Sequence, residues 1–385
     1  MNTKLIRALS IAPVILLSSQ LSQANVGTHL VGYGAKAQSM GGASVAFPQD
    51  AIAAANNPAG MALVGNRFDA DVQMLYATSE TEFGSSANKH NSSIFMAIPE
   101  FGVNFQITPK VTLGVSTYAS GVGFKYDDPL VPVPGFRRAR GTLKQFEVLP
   151  TATYTFDNGL SLGLSFVYAI QQFEAQGLPG PFPGGQNPYH GKENSYGTSW
   201  RIGGLWKIND QWAVGASYNP KIKMSKLSGY KDDLLSQSGG SADSPEQYSI
   251  GASYKPTDRW TMALDLQYIG WDKTDAFSEG FGWRSQTVVK AGAAYELNKD
   301  WTVRGGVSHA RLHTTEDYTA QNSILGGLNT TALTTGVTRK LTEDSELNLT
   351  FEYDFGPTLN GTGPSEGFKT ESDFYTVTVG YGWKF

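Results

Sequence analysis

The chain of 385 residues has no cysteine. Disulfides, reactive thiols and metal–thiolate centres are excluded, and an exported fold can do without them. Charge is scarce as well. Asp, Glu, Lys and Arg make up 17% of the residues, against roughly 25% in ordinary soluble proteins. Yet mean hydropathy is slightly negative, and beyond residue 17 no stretch approaches the run of about 20 apolar residues that a spanning helix needs. Few charges without long apolar runs suit a membrane barrel, in which half of each strand faces water. Cations are not in excess. The formal charge is −4, which points away from nucleic acid. Histidine occurs five times, and no nucleophile elbow, P-loop or dinucleotide fingerprint is read in the chain. His309 and His313 are four apart, but both are expected in the eleventh strand. Four strand residues span about 13 Å, too far to share a metal. No enzymatic activity, cofactor or metal is expected.

The first residues look like an export signal. Lys4 and Arg7 precede a mostly apolar stretch, Leu5 to Leu17, and Ser22-Gln23-Ala24 is a small-x-small cleavage site. Residues 1–24 are read as a signal peptide and Asn25 as the first mature residue.

Alternation starts at Arg67 and continues to the last residue. In the final segment Tyr375, Val377, Val379, Tyr381, Trp383 and Phe385 share one face, and Thr376, Thr378, Gly380, Gly382 and Lys384 the other. A period of two with aromatic ends is a strand with one face to lipid and one to water. Fourteen such segments are expected, near 67–81, 91–107, 110–123, 143–156, 159–174, 195–208, 211–226, 246–256, 259–271, 284–297, 300–313, 329–341, 345–355 and 371–385. Their connections alternate in length. Short polar turns such as Asp157-Asn158, Asn209-Asp210 and Asn298-Lys299 alternate with long loops at 82–90, 124–142, 175–194, 227–245, 272–283, 314–328 and 356–370. Short turns on the periplasmic side and long loops outside characterise outer-membrane barrels. Trp206, Trp212, Tyr254, Trp260, Tyr295 and Trp301 flank the short turns, as an interfacial aromatic girdle should. The fold class is therefore all-β: a transmembrane antiparallel barrel, residues 67–385.

Fourteen strands are too many for side chains alone to fill the lumen and too few for a wide pore. Residues 25–66, rich in Gly and Ala and without alternation, are the natural plug. Asp50 is positioned to cap a short helix from Ala51 to Asn56, ended by Asn57-Pro58. Alternation turns Asp69, Asp71, Glu147, Arg201, Asp265, Lys290, Arg304, Glu352 and Asp354 inward.

Within the plug, Ala37-Gln38-Ser39-Met40-Gly41-Gly42-Ala43, then Asp50-Ala51, then Asn57-Pro58-Ala59-Gly60, resemble the hatch signature of the FadL/TodX family of hydrophobic-compound transporters. The terminal Phe385 agrees. The resemblance implies passive uptake of long-chain fatty acids or hydrocarbons at the cell outer membrane, by a monomer placed there by the β-barrel assembly machinery, among phospholipid and lipopolysaccharide. It implies a hatch held by Gly41, Gly42, Asn57, Pro58 and Ala59. It implies lateral release beside a kink in the third strand, at Gly121 and Gly123. Capture falls to outer loops through Leu178, Phe182, Tyr189, Leu234 and Leu235. Arg201, Lys290 and Arg304 are the lumen candidates for a carboxylate head group; the alternative is that they tie wall to plug. The competing classes are a nonspecific aqueous porin and a surface adhesin. A porin is opposed by the plug: deleting Asn25–Asn66 should open a large ion conductance that the intact chain lacks.

Overall fold

The computed structural model describes residues 27–131, 133–180 and 185–385. The expected signal peptide 1–24, Asn25 and the loop residue Phe182 lie outside them. Strands β1 (Arg67–Glu82), β2 (Lys89–Thr108), β3 (Val111–Lys125), β4 (Arg140–Thr155), β5 (Leu160–Gln176), β6 (Glu193–Lys207), β7 (Trp212–Asn219), β8 (Gln247–Thr257), β9 (Trp260–Ile269), β10 (Gln286–Glu296), β11 (Trp301–Ala310), β12 (Thr331–Lys340) and β13 (Ser345–Phe355) pair antiparallel with their neighbours. A two-residue β14 (Leu359–Asn360) sits on the outer end of β15 (Lys369–Lys384). β15 pairs with both β13 and β1, so the sheet closes as a barrel of fourteen long strands.

Alternation does what the sequence requires of it. On β1 the inward Asp69, Asp71 and Gln73 are buried, while the outward Val72 and Tyr76 are exposed. The girdle forms as expected at the short-turn end: Trp212 stacks on Tyr254 at 4.3 Å and Trp260 lies 4.7 Å from Tyr295. A second aromatic row, including Tyr168, Tyr196, Tyr248 and Tyr375, marks the other edge of the apolar band.

Three elements differ from expectation. β7 stops at Asn219, well short of residue 226, because Pro220 has no N–H for the ladder. The chain then turns inward and buries Ile222 and Met224. β11 stops at Ala310, so His313 is not a strand residue at all. The helix expected from Ala51 to Asn56 is a single 3-10 turn, Ala53–Ala55, with the Asp50 carboxylate accepting from Ile52 N at 3.1 Å.

Residues 27–66 lie inside the barrel and contact strands on every side. Gly41 and Gly42 take positive φ, 66° and 80°, where a side chain would strain. Asn57 caps the 3-10 helix Pro58–Leu63: its side chain accepts from Ala59 N, with Pro58 at the first helical position.

One wall position is irregular. The β2–β3 ladder runs from Thr108/Val111 to Phe101/Thr117 and stops. Beyond it the strands meet again only near their outer ends, at the bridge Ser92–Tyr126 and where Lys125 N donates to the Ser92 hydroxyl at 2.9 Å. β3 leans inward there. Ser116, Thr117 and Tyr118 are all buried, which breaks the alternation. Ile94, Met96 and Ile98 of β2 pack with Tyr118, Leu30 and Tyr33 across the unpaired stretch.

Candidate functional site: an apolar chamber, a plugged lumen and a gap in the wall

The two tryptophans that the fold fully buries, Trp271 and Trp283, lie under the long loops. Trp271, Phe277 and Trp283 form one cluster, with Phe277 and Trp283 stacked at 4.8 Å. Next to it lies an apolar chamber, partly open to solvent, with a cavity volume of about 60 Å³. Its wall combines β3 and β4 (Val122, Phe124, Leu143) with loop residues Leu178, Leu235 and Phe277. Among the described residues that line it, none is ionisable. Such a space takes apolar solutes, each buried methylene contributing about 0.8 kcal/mol.

The chamber meets both the plug and the gap. Gly27, at φ 69°, leaves no room for a side chain: a Cβ there would lie 2.7 Å from the rings of Trp271 and Trp283. One residue on, the Thr28 carbonyl accepts from Gly121 N at 2.9 Å. Gly121 has φ 152°, and a Cβ on it would meet the Leu143 carbonyl at 2.3 Å. Gly123 is covered from across the gap, with the Ile94 side chain 2.9 Å from where its Cβ would be. The start of the described chain therefore touches the chamber's aromatic cluster and the kinked part of β3 at once.

Lower in the barrel the interior is polar. Wall carboxylates take N–H groups of the N-terminal segment: Asp71 from Ala35 at 2.6 Å, Glu100 from Gly34 at 2.8 Å, Asp69 from Ala51 at 2.8 Å, and Asp265 from Ser44 and Val45 at 2.6 and 2.9 Å. Wall cations take its carbonyls. Lys290 donates to Val31 O at 2.8 Å, and Arg201 donates to Ala55 O and to the Tyr118 hydroxyl, the latter at 2.9 Å. Arg304 reaches the Gln49 side chain at 2.8 Å. A segment with little secondary structure has many unpaired backbone groups, and charged partners bond them strongly. Lys36 contributes the reverse contact. It joins Glu346, which also pairs with Arg67 at 2.7 Å. Burial, then the Arg67 charge, lowers the Lys36 pKa.

The residues singled out by sequence fall into these three places. Asn57 bonds Val45 O at 2.8 Å and Gly204 O at 3.1 Å, and Pro58 O accepts from Thr153 at 2.9 Å. Gly41 N donates to the Thr334 hydroxyl at 2.9 Å. Leu178, Leu234 and Leu235 line the chamber. Tyr189 does not; it is exposed and bonds Glu174 at 3.2 Å. His313 packs its ring 4.2 Å from Trp283, and no group of ligating residues suited to a metal occurs among the described residues. Gly159-Leu160-Ser161-Leu162-Gly163 does match the letters of a nucleophile elbow, but it enters a barrel strand, and Ser161 bonds Thr155 at 3.0 Å. Glu100, Glu346 and the chamber aromatics were not singled out. The signal that was there is the set of inward glycines. A Cβ on Gly203 would lie 1.9 Å from Asn57 Oδ1, and one on Gly306 would lie 2.1 Å from the Met40 carbonyl carbon.

A closed barrel with an aromatic girdle, a filled lumen and an apolar chamber below its long loops defines an outer-membrane channel for hydrophobic solutes. The chain belongs to the outer membrane protein transport protein family (OMPP1/FadL/TodX), whose model matches residues 16–380. A curated relative, the long-chain fatty acid transport protein of Escherichia coli O6:H1 (strain CFT073), is 21% identical over 78% of this chain and 80% of its own length. The crystal structure of the P. putida toluene transporter TodX superposes with TM-score 0.71 at 18% identity, covering 93% of this chain and 99% of that one. A FadL homologue of Pseudomonas aeruginosa gives TM-score 0.72 at 15% identity, covering 94% and 100%. Those structures share the fold.

Proposed function

We propose that this channel passes uncharged hydrophobic molecules, hydrocarbons and small aromatics, from the outside into the apolar chamber and then sideways through the unpaired stretch of β2 and β3 into the membrane. The observation that carries the reading is the chamber wall: it has no ionisable side chain, and its β3 face ends at the gap. Loop residues Leu178, Leu234 and Leu235 make the first contacts, Gly121 and Gly123 shape the exit, and Asn57, Pro58, Ala59, Gly41 and Gly42 hold the N-terminal segment as a hatch. The kink bond to Thr28 couples the two: a solute that displaces Gly27 from the tryptophans pulls on Gly121. No energy input and no chemical step are involved. One chain completes the barrel, since β1 pairs with β15, and the channel is proposed to act as a monomer.

The relatives span two solutes, toluene for TodX and long-chain fatty acids for the E. coli protein. A fatty acid would want a cation for its head group. Arg201, Lys290 and Arg304 are engaged with residues 49, 55 and 31 of the plug, which supports a structural role for them and the hydrocarbon reading. The test is uptake of labelled toluene and labelled oleate, side by side, in cells lacking such a transporter. The expected result is toluene uptake that survives Arg304→Gln. Oleate uptake that falls on neutralising Arg201, Lys290 and Arg304 in turn would overturn the substrate class. Uptake of neither, at verified surface levels, would overturn the reading in favour of a porin or adhesin.

A further inference from the structure

The outer face of β4–β6 changes from apolar to polar along one line. Below it stand Phe146, Ile170 and Tyr196, which are register partners. Directly above stand Lys144, Gln172 and Asn194, again partners, with Gln172 donating to Asn194 at 3.2 Å. Lys144 is ten residues along β4 from the girdle residue Tyr154. At about 3.3 Å per residue and a tilt of about 40°, that is about 25 Å of height, the full apolar band of such barrels. Lys144 is therefore at the outer edge of the hydrocarbon. Lys125 and Arg140 face each other across β3 and β4, about 10 Å further out.

All three side chains are exposed, and among the described residues neither Lys125 nor Lys144 has a carboxylate within 4.0 Å. Arg140 has Glu174 at 3.9 Å only. The anions nearby, Glu174 and Asp127, lie further from the bilayer than Lys144. Opposite Lys144 and Thr142 the β3 residues are Gly121 and Gly123, which add no side chain of their own beside the lysine, while Ile94 of β2 covers Gly123. Elsewhere on the rim the balance is reversed: β1 and β15 present Glu80, Glu82, Glu371 and Asp373 outward, partly paired with Lys89 and Lys369.

We propose that the outward face of β3–β4, with the exposed cations Lys144, Lys125 and Arg140, binds the phosphates of a lipopolysaccharide molecule in the outer leaflet, at the rim of the wall gap. Cations at two heights match a glycolipid that carries phosphate at the hydrocarbon edge and again in its sugar region. Gln172 and Asn194 offer amides to its hydroxyls. The site rests on the outer-membrane location and not on the solute that the channel carries.

The test uses the full chain refolded in detergent, free of carried-over lipid, with bound lipid read by native mass spectrometry. Rough-type lipopolysaccharide, the same lipid after enzymatic dephosphorylation, and phosphatidylglycerol are compared. One lipopolysaccharide should be retained, and Lys125→Gln/Arg140→Gln/Lys144→Gln should weaken retention about tenfold or more. Dephosphorylation should do the same, and Lys89→Gln/Lys369→Gln on the acidic side should change nothing. The single change Lys144→Gln, on an exposed position, serves where the triple variant assembles poorly, with a smaller loss expected. Equal retention by the variant, or equal loss with the control pair, would overturn the site. Phosphatidylglycerol retained as well as lipopolysaccharide, with the same dependence on the three cations, would overturn the glycolipid assignment.

Discussion

At the scale of single residues, the chain spends its scarce charge on holding a poorly structured segment. Alternation alone shows that Asp265, Lys290 and Arg201 face inward. It cannot show that they bond backbone groups of residues 31, 44, 45 and 55, because those partners are more than 140 positions away and have no side-chain signature. Asn57 was legible from its motif, and the structure supplies the reason: one carboxamide bonds Ala59 N, Val45 O and Gly204 O. Asn57→Ala should weaken docking of the segment by about 1–3 kcal/mol, the cost of leaving buried partners unbonded. Ion conductance in planar bilayers should rise while the barrel keeps its heat-modifiable mobility on gels; a silent channel with unchanged uptake would count against this. His29 makes docking depend on pH. Burial, then the charges of Arg201 and Lys290, push its pKa from 6.5 down to about 3. Between those values the docked state binds fewer protons than an undocked one, so docking weakens as pH falls from about 6.5 towards 3 and is indifferent to this group above 6.5. Asp50, pushed up to about 6 mainly by burial, acts in the opposite direction between about 4 and 6. The difference between the wild type and His29→Gln isolates the histidine: conductance should rise more steeply on acidification in the wild type, and identical curves would refute the assignment.

At the scale of elements, the regular part was readable and the irregular part less so. Most of the long strands follow their alternation closely because a slipped register would turn every charged residue to lipid. β7 is cut short by Pro220, and β11 stops at Ala310. In β3 the glycines signalled a bend, but the inward lean begins earlier, at Thr117 and Tyr118, where both faces are buried. That start is set by contacts with Tyr33, whose ring lies 3.9 Å from that of Tyr118, and tertiary contacts of this kind leave no trace in a period of two. The kink itself depends on Gly121. Gly121→Val would place a branched side chain at φ 152° against the Leu143 carbonyl, so β3 should straighten or shift and the bond to Thr28 should be lost. Uptake should fall severalfold with surface levels maintained. Uptake equal to the wild type would place the exit elsewhere.

At the scale of the whole molecule, the proposed side door would reconcile closure with blockage. A barrel of fourteen strands that was simply open would leak ions, and one that was simply plugged would carry nothing. An apolar solute needs only a short apolar path from under the loops to the lipid, and on the proposed reading the unpaired stretch of β2 and β3 supplies it. The chain has no native cysteine, so a staple can be placed there without background. The end of the Ile94 side chain lies 2.9 Å from where a Cβ on Gly123 would be, across the gap. The most direct measurement is uptake of labelled toluene by cells carrying Ile94→Cys/Gly123→Cys, before oxidation, after oxidation to the disulfide, and after reduction. Lateral passage predicts uptake that is lost when the gap is stapled and returns on reduction, with either single-cysteine variant unaffected. Undiminished uptake through a fully stapled barrel would contradict it.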